Sequence, residues 1–109
     1  MSFDMNKMLR EAQKMQEGLA KAQEEAASEV VEASAGGGMV TVKANGAGEV
    51  IEIKIDPRAI DPDDPELLED MILAGVNEAL RSSRSLMESK MSGLIPGDLG
   101  GLGGLLPGS

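Results

Sequence analysis

The chain has no cysteine, histidine, tryptophan or tyrosine, and Phe3 is its one aromatic residue. Each absence closes off a kind of chemistry. Without cysteine there is no disulfide scaffold and no thiol nucleophile; without histidine there is no imidazole base, and a transition-metal site would have to be built mainly from carboxylates. Ser82, Ser83, Ser85 and Ser89 have no histidine to activate them, and no serine stands three residues before a lysine. They read as solvated helix serines rather than nucleophiles. Long apolar runs are also missing. The start, MSFDMNKMLR, is charged and is no signal peptide, and no later stretch is apolar enough to span a membrane, so the expected location is the cytoplasm without membrane association.

The shortage of aromatics also limits the core. The 109 residues fit one domain, and much of the 41% hydrophobic content is alanine and eight methionines. A compact monomer would have little bulky apolar area to bury, which makes a partner subunit an expectation of the composition. Basic residues are scarce as well. Ten against nineteen acidic residues give a net charge of −9, which argues against a broadly basic nucleic-acid binder and leaves room for a local basic patch.

What is present reads as a short series of elements. From Asp4 to about Ala27 there is no proline, and Met5, Met8, Ala12, Met15, Leu19, Ala22 and Ala26 recur at alternating spacings of three and four, with Leu9 widening the stripe. That is the rhythm of a coiled-coil seam; it suits a helix packed against another helix or subunit, and also one lying on its own sheet. Lys7 with Glu11, Glu17 with Lys21 and Lys21 with Glu25 are opposite charges four residues apart on the wet side. Ser28–Ala35 reads as a weak first strand, turned back by Gly36-Gly37-Gly38. Val40, Val42 and Ala44, then Ile51, Ile53 and Ile55, alternate with other residues as half-buried strands do. Asn45-Gly46 starts the hairpin between them, where positive φ is tolerated, and Gly48 adds a permissive position.

Asp56-Pro57 ends the third strand. A helix then starts at Asp63-Asp64-Pro65-Glu66, either with Asp64 as the cap before Pro65 or with Asp63 capping and Glu66 third. Its packing face is Leu68, Ile72, Val76, Ala79, Leu80, Ser83 and Met87, and it continues to about Met91, longer than three strands can cover. Residues 93–109 hold seven glycines, two prolines and five leucines, and this composition predicts a disordered tail after a domain spanning 1–92, with transient docking in an apolar groove as the alternative.

No catalytic or cofactor motif emerges. The three glycines lack the Gly-Lys-Ser/Thr of a phosphate loop and precede a strand. Asp56, Asp61, Asp63, Asp64, Glu66, Glu69 and Asp70 lack the spacing of a calcium loop and suit caps and a wet acidic surface. The expectation is a protein that is not an enzyme and carries no cofactor and no metal. Charge is unevenly placed: residues 1–23 hold four basic and three acidic groups, 24–36 four acidic and none basic, 49–78 ten acidic and two basic, and 79–92 three basic and one acidic. Lys7, Arg10, Lys14 and Lys21 share one side of the first helix, and Arg81, Arg84 and Lys90 lie on the last. Such a face is either plain solvated surface or a phosphate-contacting face doubled by a two-fold axis.

The same residues carry a resemblance. MLREAQKMQEGLAKAQEE, then GGGMVTVKANGAGEVIEIKIDP, then the acidic run into LLEDMILAGVNEAL, resembles the YbaB/EbfC family of small bacterial nucleoid-associated DNA-binding proteins over roughly residues 5–92. The resemblance implies an α+β fold of α-β-β-β-α order, with a three-stranded antiparallel sheet flanked by two long helices. It also implies a homodimer joined through its sheet region, with projecting helices that bind, bridge or condense double-stranded DNA in the nucleoid. By position it makes Lys7, Arg10, Lys14 and Lys21 the DNA-contacting residues, with Arg81, Arg84 and Lys90 in support. The alternative function is a dimeric interaction module whose Met-bearing helices and Leu-rich tail take protein partners without touching DNA.

Overall fold

The computed structural model of the protein describes residues 4–94. The first helix, α1 (Met5–Ser28), opens where the Asp4 carboxylate accepts a hydrogen bond from the Lys7 amide at 3.1 Å. It closes where the Glu29 amide and the Ser28 hydroxyl donate to the carbonyls of Ala26 and Glu25. Strand β1 (Val30–Ala35) therefore begins two residues later than its sequence pattern suggests, because α1 takes in Ser28. Gly36, Gly37 and Gly38 all have positive φ and turn the chain into β2 (Val40–Asn45), which pairs antiparallel with β1 and with β3 (Val50–Ile55) in the order β1-β2-β3.

The central strand explains the core. Val40, Val42 and Ala44 point to one face and are completely buried, while Thr41 and Lys43 point to the other and are half-buried. The last helix, α2 (Pro65–Ser92), lies across that buried face over β1 and β2. The choice between capping arrangements is settled by the backbone: Asp64 is the cap, its carboxylate accepts from the Leu67 amide at 3.3 Å, and Pro65 is the first helical residue. Ala33, Val40, Val42, Ala44 and Ala79 form the core, bordered by residues such as Ile55, Leu68 and Val76. The layers come very close. A Cβ on Gly75 would stand 2.9 Å from Cγ2 of Val42, so a glycine sits mid-helix despite its poor helix propensity.

Strand β3 departs from its expected alternation. A bulge at Lys43/Ala44 sets Val50 opposite Ala44 and Ile53 opposite Val42, and leaves Ile51 unpaired. Because α2 barely reaches β3, Ile53 is 43% exposed although its partner Val42 is fully buried. Val50 and Ile51 are exposed too, so this edge strand leaves all its apolar side chains but Ile55 uncovered. The surplus length of α2 runs off the sheet and packs against the second half of α1. The expected disordered tail lies, apart from Gly93 and Leu94, outside the described residues.

Candidate nucleic-acid interface

The first half of α1 stands away from the body. Residues 4–17 are all exposed, whereas Gly18 and Leu19 are half-buried and Ala22 and Ala26 are buried. The helix is therefore held by its C-terminal end, and the attachment is specific. The Gly46 amide in the β2–β3 hairpin donates to the Ala26 carbonyl at 2.8 Å and shares its proton with Glu29 at 3.2 Å. A Cβ on Gly46 would fall 2.5 Å from that Ala26 oxygen, so this glycine serves close approach. The positive φ expected of the hairpin falls instead at Gly48. Asn45 organises the loop by accepting from the amides of Ala47 and Glu49.

The four cations of α1 are presented without competition. Lys7, Arg10, Lys14 and Lys21 are exposed, and among the described residues none lies within 4.0 Å of a carboxylate. The expected pairs with Glu11, Glu17 and Glu25 do not close to that distance either. On an ideal helix at about 100° per residue, the basic side is centred roughly 150° from the Met5-Met8-Ala12-Met15-Leu19 stripe. The helix thus carries a cationic stripe and an apolar stripe on nearly opposite sides. Met5 is 63% exposed and Met8 53%, so both stripes lie bare in the protomer.

The cations of α2 are arranged differently. Arg84 is exposed and has no ion pair among the described residues. Arg81 pairs with Glu78 at 2.6 Å on its own helix. Lys90 is brought to the acidic end of α1, 2.6 Å from Glu29 and 3.9 Å from Glu25. The hydrogen bond to Glu29 raises its pKa above the ordinary lysine value, partial desolvation opposes the rise, and the charges of Glu29 and Glu25 add to it. The acid-only stretch after residue 24 was a sequence signal that a distant cation would come to it.

Ser83 lies buried on the packing face expected from the period of α2, which overturns its reading as a solvated serine. It is 1% exposed, and its hydroxyl donates to the Asn45 carbonyl at 2.6 Å, tying α2 to the hairpin that grips α1. In the acidic 49–78 stretch, Asp56 is held by Arg58. Hydrogen bonds from the Arg58 side chain, then from its amide, lower its pKa to about 2. This is a turn-fixing pair, since the Asp56 carboxylate caps the short helical turn Pro57–Ala59. Among the described residues no cluster is placed to hold a metal ion.

This geometry can be set beside known proteins. Residues 1–99 match the model of the YbaB/EbfC DNA-binding family. A nucleoid-associated protein of Acetivibrio thermocellus is 49% identical over 102 residues, covering 94% of this chain and 89% of that protein. One of Moorella thermoacetica is 54% identical over 89 residues, covering 82% and 86%. The crystal structure of an uncharacterized protein from Helicobacter pylori superposes with a TM-score of 0.72 at 20% identity, covering 81% of this chain and 92% of that one, a likeness of fold.

Proposed function

The chain belongs to the YbaB/EbfC DNA-binding family, a family of nucleoid-associated proteins rather than enzymes, and we propose that it works as a homodimer in the bacterial nucleoid, gripping double-stranded DNA mainly by its backbone phosphates with little base specificity. The observation that carries this reading is the row of exposed, unpaired cations on the free side of α1. Lys7, Arg10, Lys14 and Lys21 supply charge for phosphates, and Arg84 supports them; Arg81 and Lys90, held by Glu78 and by Glu29, contribute less.

Low specificity follows from the same surface. Three of the four α1 cations are lysines, point charges on flexible stems; a chain without cysteine or histidine offers no zinc finger, and among the described residues no helix-turn-helix holds a reading helix for the major groove. The dimer doubles the cationic row, and the uncovered side chains of β3, Val50, Ile51 and Ile53, supply the apolar surface that joins the protomers. With −9 on each chain, binding is salt-sensitive and closer to micromolar than nanomolar.

Titration of a labelled duplex at two salt concentrations, with and without the triple substitution Lys7→Gln, Arg10→Gln and Lys14→Gln, tests this. Loss of phosphate contacts weakens binding to every duplex alike and lowers the log–log salt slope by roughly 0.9 per contact, in total about two to four units. Unchanged affinity and slope would return the cations to plain solvated surface. Failure of the parent protein to bind even at about 50 mM salt would favour the interaction module, for which the bare Met5, Met8 and Met15 side chains speak.

A further inference from the structure

Helix α2 ends against α1. The Met91 carbonyl accepts from the amides of Gly93 and Leu94, and the Leu94 side chain comes to rest over Gly18, with Cδ2 3.3 Å from where a Cβ would be. Leu94 then forms one end of an open groove of about 290 Å³ whose other walls are Glu11, Lys14, Met15 and Gly18. The two helices run antiparallel here, since Lys90 meets Glu25 and Glu29 while Leu94 meets Gly18. A chain that continues in the direction of α2 is therefore aimed along α1 toward its N-terminus.

We propose that the segment 95–102, IPGDLGGL, docks in this groove and runs back along the free half of α1, with Ile95, Leu99 and Leu102 against the apolar stripe at Met15 and Met8. Reach is ample. From Gly18 to Met5 is about 20 Å of helix, which roughly six extended residues cover. Polarity matches as well. The groove lies between the two stripes of α1, with Lys14 on one wall and Met15 on the other, and Asp98 is the one charged residue after Leu94. Glycines at 97, 100 and 101 let the backbone lie close to the helix, at a cost in ordering entropy. Leu94 reduces that cost by fixing the start of the segment, and tethering keeps the rest at a high effective concentration, so weak contacts suffice. The docking stands whether or not α1 binds DNA.

The absence of cysteine makes a direct test simple. A nitroxide is attached to the full-length chain through Gly104→Cys, and the methionine methyl signals are followed by NMR. Met8 and Met15 report on the groove, and Met39 and Met71, beside the glycine turn at the far end of the sheet, serve as references. The docked segment broadens Met8 and Met15 by about twofold or more over the references, independent of protein concentration, as expected for a tethered contact. The triple substitution Ile95→Ser, Leu99→Ser and Leu102→Ser, made in the labelled chain, abolishes the effect. Broadening that survives these substitutions would mean mere tethered proximity and would overturn the proposal. So would broadening that fades on dilution with unlabelled protein, which would place a second copy in the groove.

Discussion

The grip of the hairpin on α1 gives a sharp quantitative test, the substitution Gly46→Ala. The added methyl would sit 2.5 Å from the Ala26 oxygen, 2.8 Å from the Ala26 Cβ and 2.9 Å from the Ala26 carbonyl carbon, where ordinary contact begins near 3.4 Å. Two of these three atoms are backbone, so the helix and the hairpin must separate by the better part of an ångström. The 2.8 Å bond from the Gly46 amide to Ala26 then lengthens beyond useful range. Overpacking of this kind costs about 1–3 kcal/mol and the lost hydrogen bond about 1 kcal/mol, giving about 2–4 kcal/mol in all. For a domain of this size that lowers the Tm by roughly 10–25 °C in a circular-dichroism melt. Gly48→Ala is the control. It meets nothing within 4 Å, but its φ of +85° is unfavourable for alanine, so it loses only about 1–2 kcal/mol, less than Gly46→Ala. If Gly46→Ala melts no lower than Gly48→Ala, the close approach to Ala26 is not what holds α1.

Ser83→Ala removes the buried 2.6 Å bond to the Asn45 carbonyl and should destabilise by about 1 kcal/mol, read from the urea midpoint at unchanged slope. Asp64→Ala uncaps α2 and should cost about 1 kcal/mol in the same assay. Because Arg58 lowers the Asp56 pKa from the usual 3.8 to about 2, that pair stabilises the fold above the unfolded value and loses its effect as pH falls toward 2. The Tm gap between the parent and Asp56→Asn should therefore close between pH 4 and pH 2, and a constant gap would contradict the pairing. Ile53→Asp, on the uncovered side of β3, should turn the proposed dimer into a monomer in sedimentation while leaving the protomer folded.

The elements were legible in the sequence because their periods are clean: Val40, Val42 and Ala44 alternate, and the two helices show three-and-four spacing over more than twenty residues each. Local chemistry alone ran out where two solutions satisfied the same rule. Asp63 and Asp64 are both acceptable caps, and only the path of the backbone selects Asp64. The bulge that leaves Ile51 unpaired is invisible in a run of alternating isoleucines, since it depends on register with β2. The period of α2 puts Ser83 on its packing face, but not its bond, because the partner carbonyl is 38 residues away, and Lys90 meets Glu29 across a still longer stretch of chain. For the cationic side of α1, spacing gave the shared face. That its members stay clear of carboxylates is a matter of distances, which sequence does not contain.

The exposed half of α1 poses a question of stability that bears on what it does. Its residues are mostly strong helix formers, Met, Leu, Lys, Arg, Glu, Gln and Ala, yet within the protomer the helix buries only Ala22 and Ala26. Its free half, residues 5–17, draws its order mainly from propensity, and propensity alone leaves a helix of that length marginal in water. The outer turns should therefore be less protected than the inner ones, with amide exchange slowing from Met8 toward Ala26, where the Gly46 and Lys90 contacts begin. Anything that lies along α1 will add protection to those turns: phosphates on the cationic side, or the 95–102 segment in the groove. The two leave different marks. Protection by DNA should vanish at high salt, because it rests on charge, whereas protection by leucine contacts should persist there. Exchange along α1 measured at low and high salt, with and without duplex, thus separates the two occupants, and outer turns that stay fast under every condition, with the gradient toward Ala26 unchanged, would show that neither binds this helix.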